Sequence, residues 1–472
     1  MTTSLAEVPT PVNSTGLKAT QRSVRHLHRP RQWPILRSDL LTAVVVVQFV
    51  TTAMWARHGG IDSLDSLSGI LTGVGQLSAL YGTIAVLGQL ILMSRAPWLE
   101  RRYGQDTLVR WHKWVGFASV WLLVGHVVAT TYGYALSEHR SVFGESWRFI
   151  RHYPDVLMAT VGLAMFFGVA FTSVKRARKK LSYETWFFVH LYAYVAIALT
   201  FAHQFAVGTD FADDPVARVW WATLYGFAIV CMFAWRFVTP VAMWVRHSWR
   251  IENVVAETGG VVSIWVTGNR LEALHAEAGQ YFIVRVLTAR HWWHGHPFSL
   301  SAAPNTKRLR FTIKELGDHT AEFQGLKPGT RVFLEGPYGA LTSTRRTKPK
   351  ALLIAGGVGI TPLRALFEQT PGGPGDVALL YRARAESDVV FRAELDRIAA
   401  TRGFSVTFLV GRRPNRANQD PFHPARLVER FPDIAHRDVY LCGPVSMMAS
   451  AQRALERCGV PAKQIHSERF DY

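Results

Sequence analysis

Residues 112–133 read HKWVGFASVWLLVGHVVATTYG and residues 184–206 read ETWFFVHLYAYVAIALTFAHQFA. Each run is long and apolar enough to cross a bilayer, which takes about 20 residues of helix. Each also carries two histidines, His112 and His126 in the first and His190 and His203 in the second. Outward from these, four more stretches meet the same criterion, roughly 38–57, 68–93, 154–174 and 217–245. An ionisable side chain inside a membrane is costly unless it has a partner or a task. The four histidines are therefore the first place to seek function.

Fourteen residues of ideal helix rise about 21 Å and return to nearly the same face. Both histidine-bearing spans run from inside to outside, so His112 and His190 lie near the inner side and His126 and His203 near the outer side. Neutral imidazole ligates iron well. One imidazole from each helix at each of two depths suits two stacked, bis-histidine haems in a helical bundle. The thirteen-residue step from His190 to His203 leaves the second about 140° off the first, which a tight turn, curvature or helix crossing has to absorb. The alternative for any single histidine is a hydrogen bond to a neighbouring helix. His58, His139 and His152 fall near the outer ends of spans and read as interfacial, with a role near an outer haem or acceptor as the alternative.

The chain has 472 residues, with 53 Lys+Arg against 34 Asp+Glu and a formal net charge of +19. Such a charge points to nucleic acid or to an anionic membrane surface. Its placement decides for the membrane, because the bases sit in short loops between apolar runs. Lys18, Arg22, Arg25, Arg29, Arg31 and Arg37 precede the first span. Arg95, Arg101, Arg102 and Arg110 join the second to the third, and Lys175, Arg176, Arg178, Lys179 and Lys180 join the fourth to the fifth. The alternate loops hold Asp62 and Asp65, a mixed set (Glu138, Arg140, Glu145, Arg148, Arg151), and Asp210, Asp213 and Asp214. The positive-inside rule then puts both termini in the cytosol of a multi-pass plasma-membrane protein. The polar, basic residues 1–35 read as a cytosolic tail rather than a cleaved signal. Several of the 16 tryptophans lie near span ends, as interfacial belts do. Three cysteines (Cys231, Cys442 and Cys458) without a Cys-x-x-Cys pair support neither a disulfide framework, a cysteine zinc site nor an iron–sulfur cluster.

After Arg250 the pattern changes. Short β-rich runs at Val261–Val266, Tyr281–Val286, Leu309–Ile313 and Arg331–Leu334 predict a small antiparallel barrel or sandwich. Thr344–Lys350 reads as a basic linker. From Ala351 onward, strands at Ala351–Ala355, Val377–Tyr381, Ser405–Val410 and Val439–Cys442 alternate with helices, which predicts a parallel sheet covered by helices.

In that half, His296-Pro297-Phe298-Ser299-Leu300 follows Gly279-Gln280-Tyr281-Phe282-Ile283. The pair resembles the flavin-binding signature of the ferredoxin-reductase superfamily. The resemblance implies that Phe298 lies against FAD, that Ser299 bonds near the isoalloxazine, and that Tyr281, His296, Pro297 and Leu300 belong to the same site. Many soluble members carry Arg where this chain has His296. Downstream, Lys314 leads to Gly317 and Thr320, where backbone N–H groups at a helix start suit the FAD pyrophosphate. Gly336-Pro337-Tyr338-Gly339 follows in order. Next, a buried strand delivers Gly356, Gly357, Gly359, Thr361 and Pro362 to a helix start, an arrangement that lets backbone approach phosphate at the head of a parallel sheet. In the superfamily this loop holds the nicotinamide cofactor. Arg382, Arg384, Arg412 and Arg413 follow the next two strands and suit a 2′-phosphate, hence NADPH ahead of NADH. They read equally well as solvated arginines. Cys442-Gly443-Pro444 closes a further strand near the expected nicotinamide position, with Cys442 either catalytic or a small packing residue. The chain ends His466-Ser467-Glu468-Arg469-Phe470-Asp471-Tyr472; relatives end on an aromatic that covers the flavin, a role for Phe470, then Tyr472.

Together these features resemble the ferric-reductase/NADPH-oxidase family in its compact prokaryotic form, over about residues 36–472. The resemblance implies four parts: a basic tail (1–35), a six-helix transmembrane haem domain (36–246), an antiparallel β-barrel FAD domain (247–345) and an α/β parallel-sheet NAD(P) domain (346–472). It implies a relay in which NADPH gives hydride to FAD. Single electrons then pass to the inner haem at His112 and His190, to the outer haem at His126 and His203, and to an acceptor outside. Arg236, Arg246 and Arg250 close the last span as snorkelling residues, or as contacts to haem propionates or the FAD domain. Animal-type oxidases place a histidine one turn beyond the outer ligand and an arginine in the second span; here Thr130 stands at the first position and 68–93 holds no arginine. That points to broad reductase activity on ferric iron, with oxygen as a second acceptor giving superoxide. No calcium-binding EF-hand pattern is present. The implied partners are the bilayer and a small-molecule or ionic acceptor, not nucleic acid. Two other readings stay open: an electron-donating subunit for an exported protein partner, and a haem-binding sensor with an inactive reductase half.

Overall fold

The computed structural model describes residues 37–208, 214–289, 292–314, 322–412 and 420–468. The chain divides at Val50 into a short first unit and a second unit from Thr51 to Tyr472. Among the described residues six helices are long and apolar enough to cross a membrane: Asp39–Gly60, Leu67–Met93, Gln105–Ser137, Val156–Ser173, Glu184–Ala206 and Pro215–His247. The chain is thus a multi-pass membrane protein. Their outer faces carry exposed aromatics such as Phe117, Trp121 and Phe171, the surface that a lipid solvent accepts.

In chain order the helices are α1 (Arg37–Trp55), α2 (Leu67–Met93), α3 (Pro97–Tyr103), α4 (Gln105–Ser137), α5 (Val142–His152), α6 (Val156–Ser173) and α7 (Tyr183–Val207). Then α8 (Pro215–Phe233) runs through a π-helical turn, Ala234–Val238, into α9 (Thr239–His247). Polar caps fix several starts. Ser66, Ser141 and Ser182 each accept the backbone N–H three residues on, and Asp214 accepts from Val216 N just ahead of Pro215. The helices pack in close pairs, α2 with α4 and α6 with α7. Small residues make this closeness available. A Cβ on Gly75 would stand 2.8 Å from Thr130 N, one on Gly133 would stand 2.9 Å from Ser68 O, and one on Gly162 would stand 2.9 Å from Ala196 O.

Beyond the membrane lie two three-stranded antiparallel sheets. Their strands are β1 (Arg250–Glu257), β2 (Val261–Thr267), β3 (Tyr281–Val286), β4 (His296–Ser299), β5 (Arg308–Lys314) and β6 (Val332–Tyr338). They run in the orders β1-β2-β5 and β4-β3-β6. The expected barrel is present only in this partial form. Single bridges, Arg250 to Arg331 and Leu300 to Phe311, tie the sheets at their seams, while both inner faces share one core that includes Phe282, Phe311, Phe323 and Leu334. Sequence reading passed over β1 because its residues are mostly exposed, so no alternation of apolar and polar residues marks it.

The last unit of structure is a five-stranded parallel sheet of order β11-β10-β7-β8-β9. Its elements are β7 (Lys350–Gly356), α10 (Ile360–Gln369), β8 (Val377–Ala383), α11 (Arg392–Arg402), β9 (Ser405–Val410), α12 (Pro424–Arg430), β10 (Arg437–Cys442), α13 (Val445–Arg457) and β11 (Ile465–Ser467). The central strands β7, β8 and β10 are buried along nearly their whole length, as a sheet covered on both faces requires. The basic linker is anchored: Asp438, fully buried, accepts from Thr347 N, Lys348 N and His466 Nε2.

Candidate functional site

The four membrane histidines meet in two pairs. His112 and His190 have ring centroids 5.9 Å apart, and His126 and His203 have theirs 6.4 Å apart. One metal held between two imidazole nitrogens at about 2 Å each puts ring centroids roughly 6 Å apart, so both pairs have the spacing a bis-histidine iron needs. The second requirement is a free Nε2, and the His126–His203 pair meets it through its backbone. His126 Nδ1 donates to Gly75 O at 3.0 Å and His203 Nδ1 donates to Thr200 O at 2.8 Å. A carbonyl can only accept, so in each ring Nδ1 carries the proton and Nε2 keeps its lone pair, the arrangement that orients metal-ligating histidines. Thr130, one turn beyond, places its hydroxyl 3.3 Å from His126 Nδ1. In the other pair His190 Nδ1 lies 3.4 Å from Ser173 Oγ, and Trp186 stacks on the His190 ring at 5.1 Å. The Arg178 guanidinium covers that tryptophan at 4.8 Å.

The awkward thirteen-residue step is absorbed without a break. Helix α7 is continuous from Tyr183 to Val207, and the His203 ring is drawn back along its own helix by the Thr200 carbonyl. His58 does not join either pair; its Nε2 lies 2.8 Å from Asp214 Oδ2, tying the turn after α1 to the start of α8.

The flavin signature falls on β4 and β3. Register pairs Tyr281 with Ser299, Phe282 with Phe298 and Val284 with His296, and on the other side Tyr281 with Tyr338. Paired residues share a face, so Ser299, Tyr281 and Tyr338 form one row across the sheet. Phe298 lies on the opposite face, stacked with His296 at 5.8 Å and edge-on to Phe323. Because β4 is the last strand of its sheet, one elongated ligand can reach both faces around that edge. Pro297, paired with Ile283, lies on the Ser299 face, Leu300 is buried just past the strand, and Lys314 ends β5. Gly317 and Thr320 lie outside the described residues, as do Arg413, Phe470 and Tyr472.

The glycine loop joins β7 to α10 at the carboxyl edge of the parallel sheet. Gly357 has φ +54 with nothing within 4 Å of where a Cβ would stand, so the backbone is turned left-handed and its face is open. Gly356 and Gly359 are pressed against the next strand's end, where a Cβ would fall 2.4 Å from Met447 Sδ and 2.5 Å from Cys442 O respectively. Thr361 is buried and its hydroxyl donates to Val358 O at 3.0 Å, while Pro362 lies in the buried first turn of α10. Cys442 is wholly buried, which pushes its thiol well above the usual range and keeps it neutral. Gly443 and Pro444 carry the chain from β10 into α13. Arg382 donates to Leu409 O at 3.3 Å; Arg384 and Arg412 are exposed just beyond the carboxyl ends of β8 and β9, where nucleotide ligands bind such sheets.

A further group of residues joins the membrane half to this machinery, and sequence reading did not single it out. The Arg95 guanidinium lies over the Tyr338 ring at 4.7 Å. Tyr281 OH donates to Glu100 Oε1 at 3.2 Å, and the Tyr281 and Tyr338 rings are tilted together at 5.8 Å. Arg345 reaches back to Arg102 O at 2.8 Å. Glu468 presses on Gly339, whose missing Cβ would stand 3.0 Å from its Oε1. The signal that was available is an acid, Glu100, set among Arg95, Arg101 and Arg102 in a loop read only for its positive charge.

Three family descriptions match the chain. Residues 78–201 match the ferric reductase like transmembrane component, 248–342 an FAD-binding domain, and 353–453 the oxidoreductase NAD-binding domain. A flavohemoprotein from Burkholderia sp. (strain TH2) is 27% identical over 295 residues, covering 59% of this chain and 74% of the relative. The ferredoxin reductase component of a 3-ketosteroid-9-alpha-monooxygenase from Mycolicibacterium smegmatis is 29% identical over 47% of this chain, which spans 64% of that relative's length. Among solved structures, the flavohem-like FAD/NAD binding domain of nitric oxide dioxygenase from Vibrio cholerae O1 biovar El Tor is 23% identical with a TM-score of 0.40, covering 47% of this chain and 98% of that one.

Proposed function

We propose, of a chain that is a membrane NAD(P)H oxidoreductase joining a ferric reductase-like transmembrane component to FAD-binding and NAD-binding domains, that it carries electrons from cytosolic NADPH to an acceptor outside the cell membrane through two bis-histidine haems. The observation that carries this reading is the meeting of four imidazoles in two pairs, 5.9 and 6.4 Å apart, at two depths of one helix bundle. FAD, when bound, turns the two-electron hydride into single electrons, and each haem iron carries one at a time.

The chain's own residues supply placement. Gly75 and Thr200 carbonyls set the tautomer and rotation of the outer ligands, and Ser173 and Trp186 hold His190. The Gly356–Gly359 loop and the start of α10 offer backbone N–H groups to the nicotinamide cofactor's phosphates. Ser299 and Phe298 present a hydroxyl and an aromatic ring at the free edge of β4 for the flavin. Arg384 and Arg412 give the site its preference for a 2′-phosphate. With the reductase half cytosolic, the outer haem pair faces ferric chelates or oxygen, and the lack of an arginine in α2 favours ferric reduction.

Detergent-solubilised protein should contain two low-spin b-type haems and one FAD per chain, with both haems reduced on adding NADPH. One haem per chain, or haems that stay oxidised while the flavin bleaches, would contradict the reading. Replacing both Arg384 and Arg412 by Ala should raise KM for NADPH about tenfold or more and leave KM for NADH nearly unchanged. An equal change for both cofactors would show that these arginines are only solvated surface.

A further inference from the structure

Oxidation of one NADPH to NADP+ yields two electrons and one proton. In the path proposed above the electrons leave outward and the proton stays behind on the reductase side. Some group has to take it there and pass it to water.

Five carboxylates are buried among the described residues: Glu100, Glu145, Glu335, Asp438 and Glu468. Three are fully answered. Glu145 holds Arg148, Glu335 holds Arg285, and Asp438 collects Thr347, Lys348 and His466. Only Glu100 and Glu468, 2% and 8% exposed, leave an oxygen (Oε2 in each) with no hydrogen-bond partner. A buried carboxylate oxygen without a donor is costly; protonation removes that cost and makes the group a donor. Arg95 acts on Glu100 through its charge, while its Nη1 is itself buried without a hydrogen-bond partner. Three parts of the chain converge here: Glu100 from the membrane half, Tyr281 and Gly339 from the sheet that carries the flavin signature, and Glu468 from the segment after β11. Immediately beyond Glu100, Arg101 and Arg102 are exposed.

We propose that Glu100 is the proton acceptor of the reductase reaction: its carboxylate takes the proton released on hydride oxidation, linked to the flavin face by the Tyr281 hydroxyl, and returns it to water at the Arg101–Arg102 edge. An O–H bond forms on Glu100 as the proton arrives and breaks as it leaves, so the carboxylate is restored each turnover. The charged and titratable groups that face it are Arg95 from its own loop, Tyr281 from β3, Tyr338 from β6, Arg236 from the turn between α8 and α9, and Glu468. Burial raises the Glu100 carboxyl to about 7, against the pull of Arg95, the Tyr281 hydroxyl, Gly339 N–H and Arg236. Burial, with the charges of Asp106 and Glu100, holds Glu468 well above the usual carboxylate range.

The inference rests on the electron path proposed above, and redox-triggered infrared difference spectroscopy on the full chain with FAD and haems separates the two. In the wild type, NADPH should reduce flavin and then haem; flavin bleaching with no haem reduction would sink the path itself. Given that path, a protonated-carboxyl C=O band should appear with flavin turnover and shift in D2O, and the flavin midpoint potential should change slope near pH 7. Glu100→Gln should lose both signatures and slow delivery from flavin to haem about tenfold or more, with flavin bleaching by NADPH far less affected. A band and a slope change that persist unaltered in Glu100→Gln would overturn the proposal. Should that variant lose its flavin, Glu100→Asp decides. A displaced band and slope change support Glu100 as their source, and unmoved ones assign them to another group.

Discussion

Glu394 illustrates how one side chain can join two domains. Arg310, on β5 of the flavin half, donates to both of its oxygens at 2.9 and 3.0 Å, and Arg364, on α10 of the nucleotide half, donates to Oε2 at 2.9 Å. Both guanidiniums are buried, with side chains 3% and 6% exposed. Removing the shared acid strands two buried cations, which costs more than the pair itself contributes. Glu394→Ala should destabilise the reductase half by about 2–4 kcal/mol, read as an earlier thermal release of flavin with an unmoved haem spectrum; an unchanged release temperature would show the network to be idle. Glu100 has a distinct pH signature. Burial raises its carboxyl to about 7, so the folded chain binds a proton that the unfolded chain has lost. The stability it contributes is full below the ordinary carboxyl range and is lost as pH rises through 7. His466, held below its usual value by burial, acts with the opposite sign over part of that window. The clean measurement is therefore the difference in melting between wild type and Glu100→Gln at pH 5 and pH 8. The wild type should lose ground relative to the variant as pH rises; a gap that does not change with pH would contradict the assignment.

At the scale of elements, the pair α2 and α4 shows why small residues and ligands come together. Gly75 lets α4 approach, and its carbonyl is the acceptor that orients His126. A Cβ there would fall 2.2 Å from Thr130 Oγ1, so Gly75→Val should part the helices and cost the outer haem while sparing the inner one, read as a haem content that falls from two per chain toward one. Retention of both haems would mean the contact is slack. Elements with a periodic apolar signal were legible in the sequence: the six spans, β3, β9 and the buried strands of the parallel sheet. Elements whose signal is neither apolar nor long were not. β4 is four residues containing a proline, β11 is three residues, and α3 begins at Pro97 in a loop that reads as charge alone. α5 buries Glu145 against Arg148 while Phe143 and Trp147 face outward, so its pattern resembles a mixed loop until the helix is seen.

For the whole molecule, the histidine spacing and the order of flavin and glycine motifs were readable because each is a local pattern with a chemical reason. The convergence of Glu100, Tyr281, Tyr338 and Glu468 was not readable, because Glu100 carries no motif and lies 181 positions from Tyr281, its hydrogen-bond partner. The central claim is that paired imidazoles at two depths carry electrons across the insulating bilayer. Its most direct test uses sealed vesicles with the reductase half outside and a ferric chelate trapped within. Adding NADPH outside should reduce the trapped chelate in the wild type. In His126→Ala the flavin and the inner haem should still be reduced while the trapped chelate stays oxidised. Reduction of the trapped chelate at the wild-type rate by that variant would contradict the account.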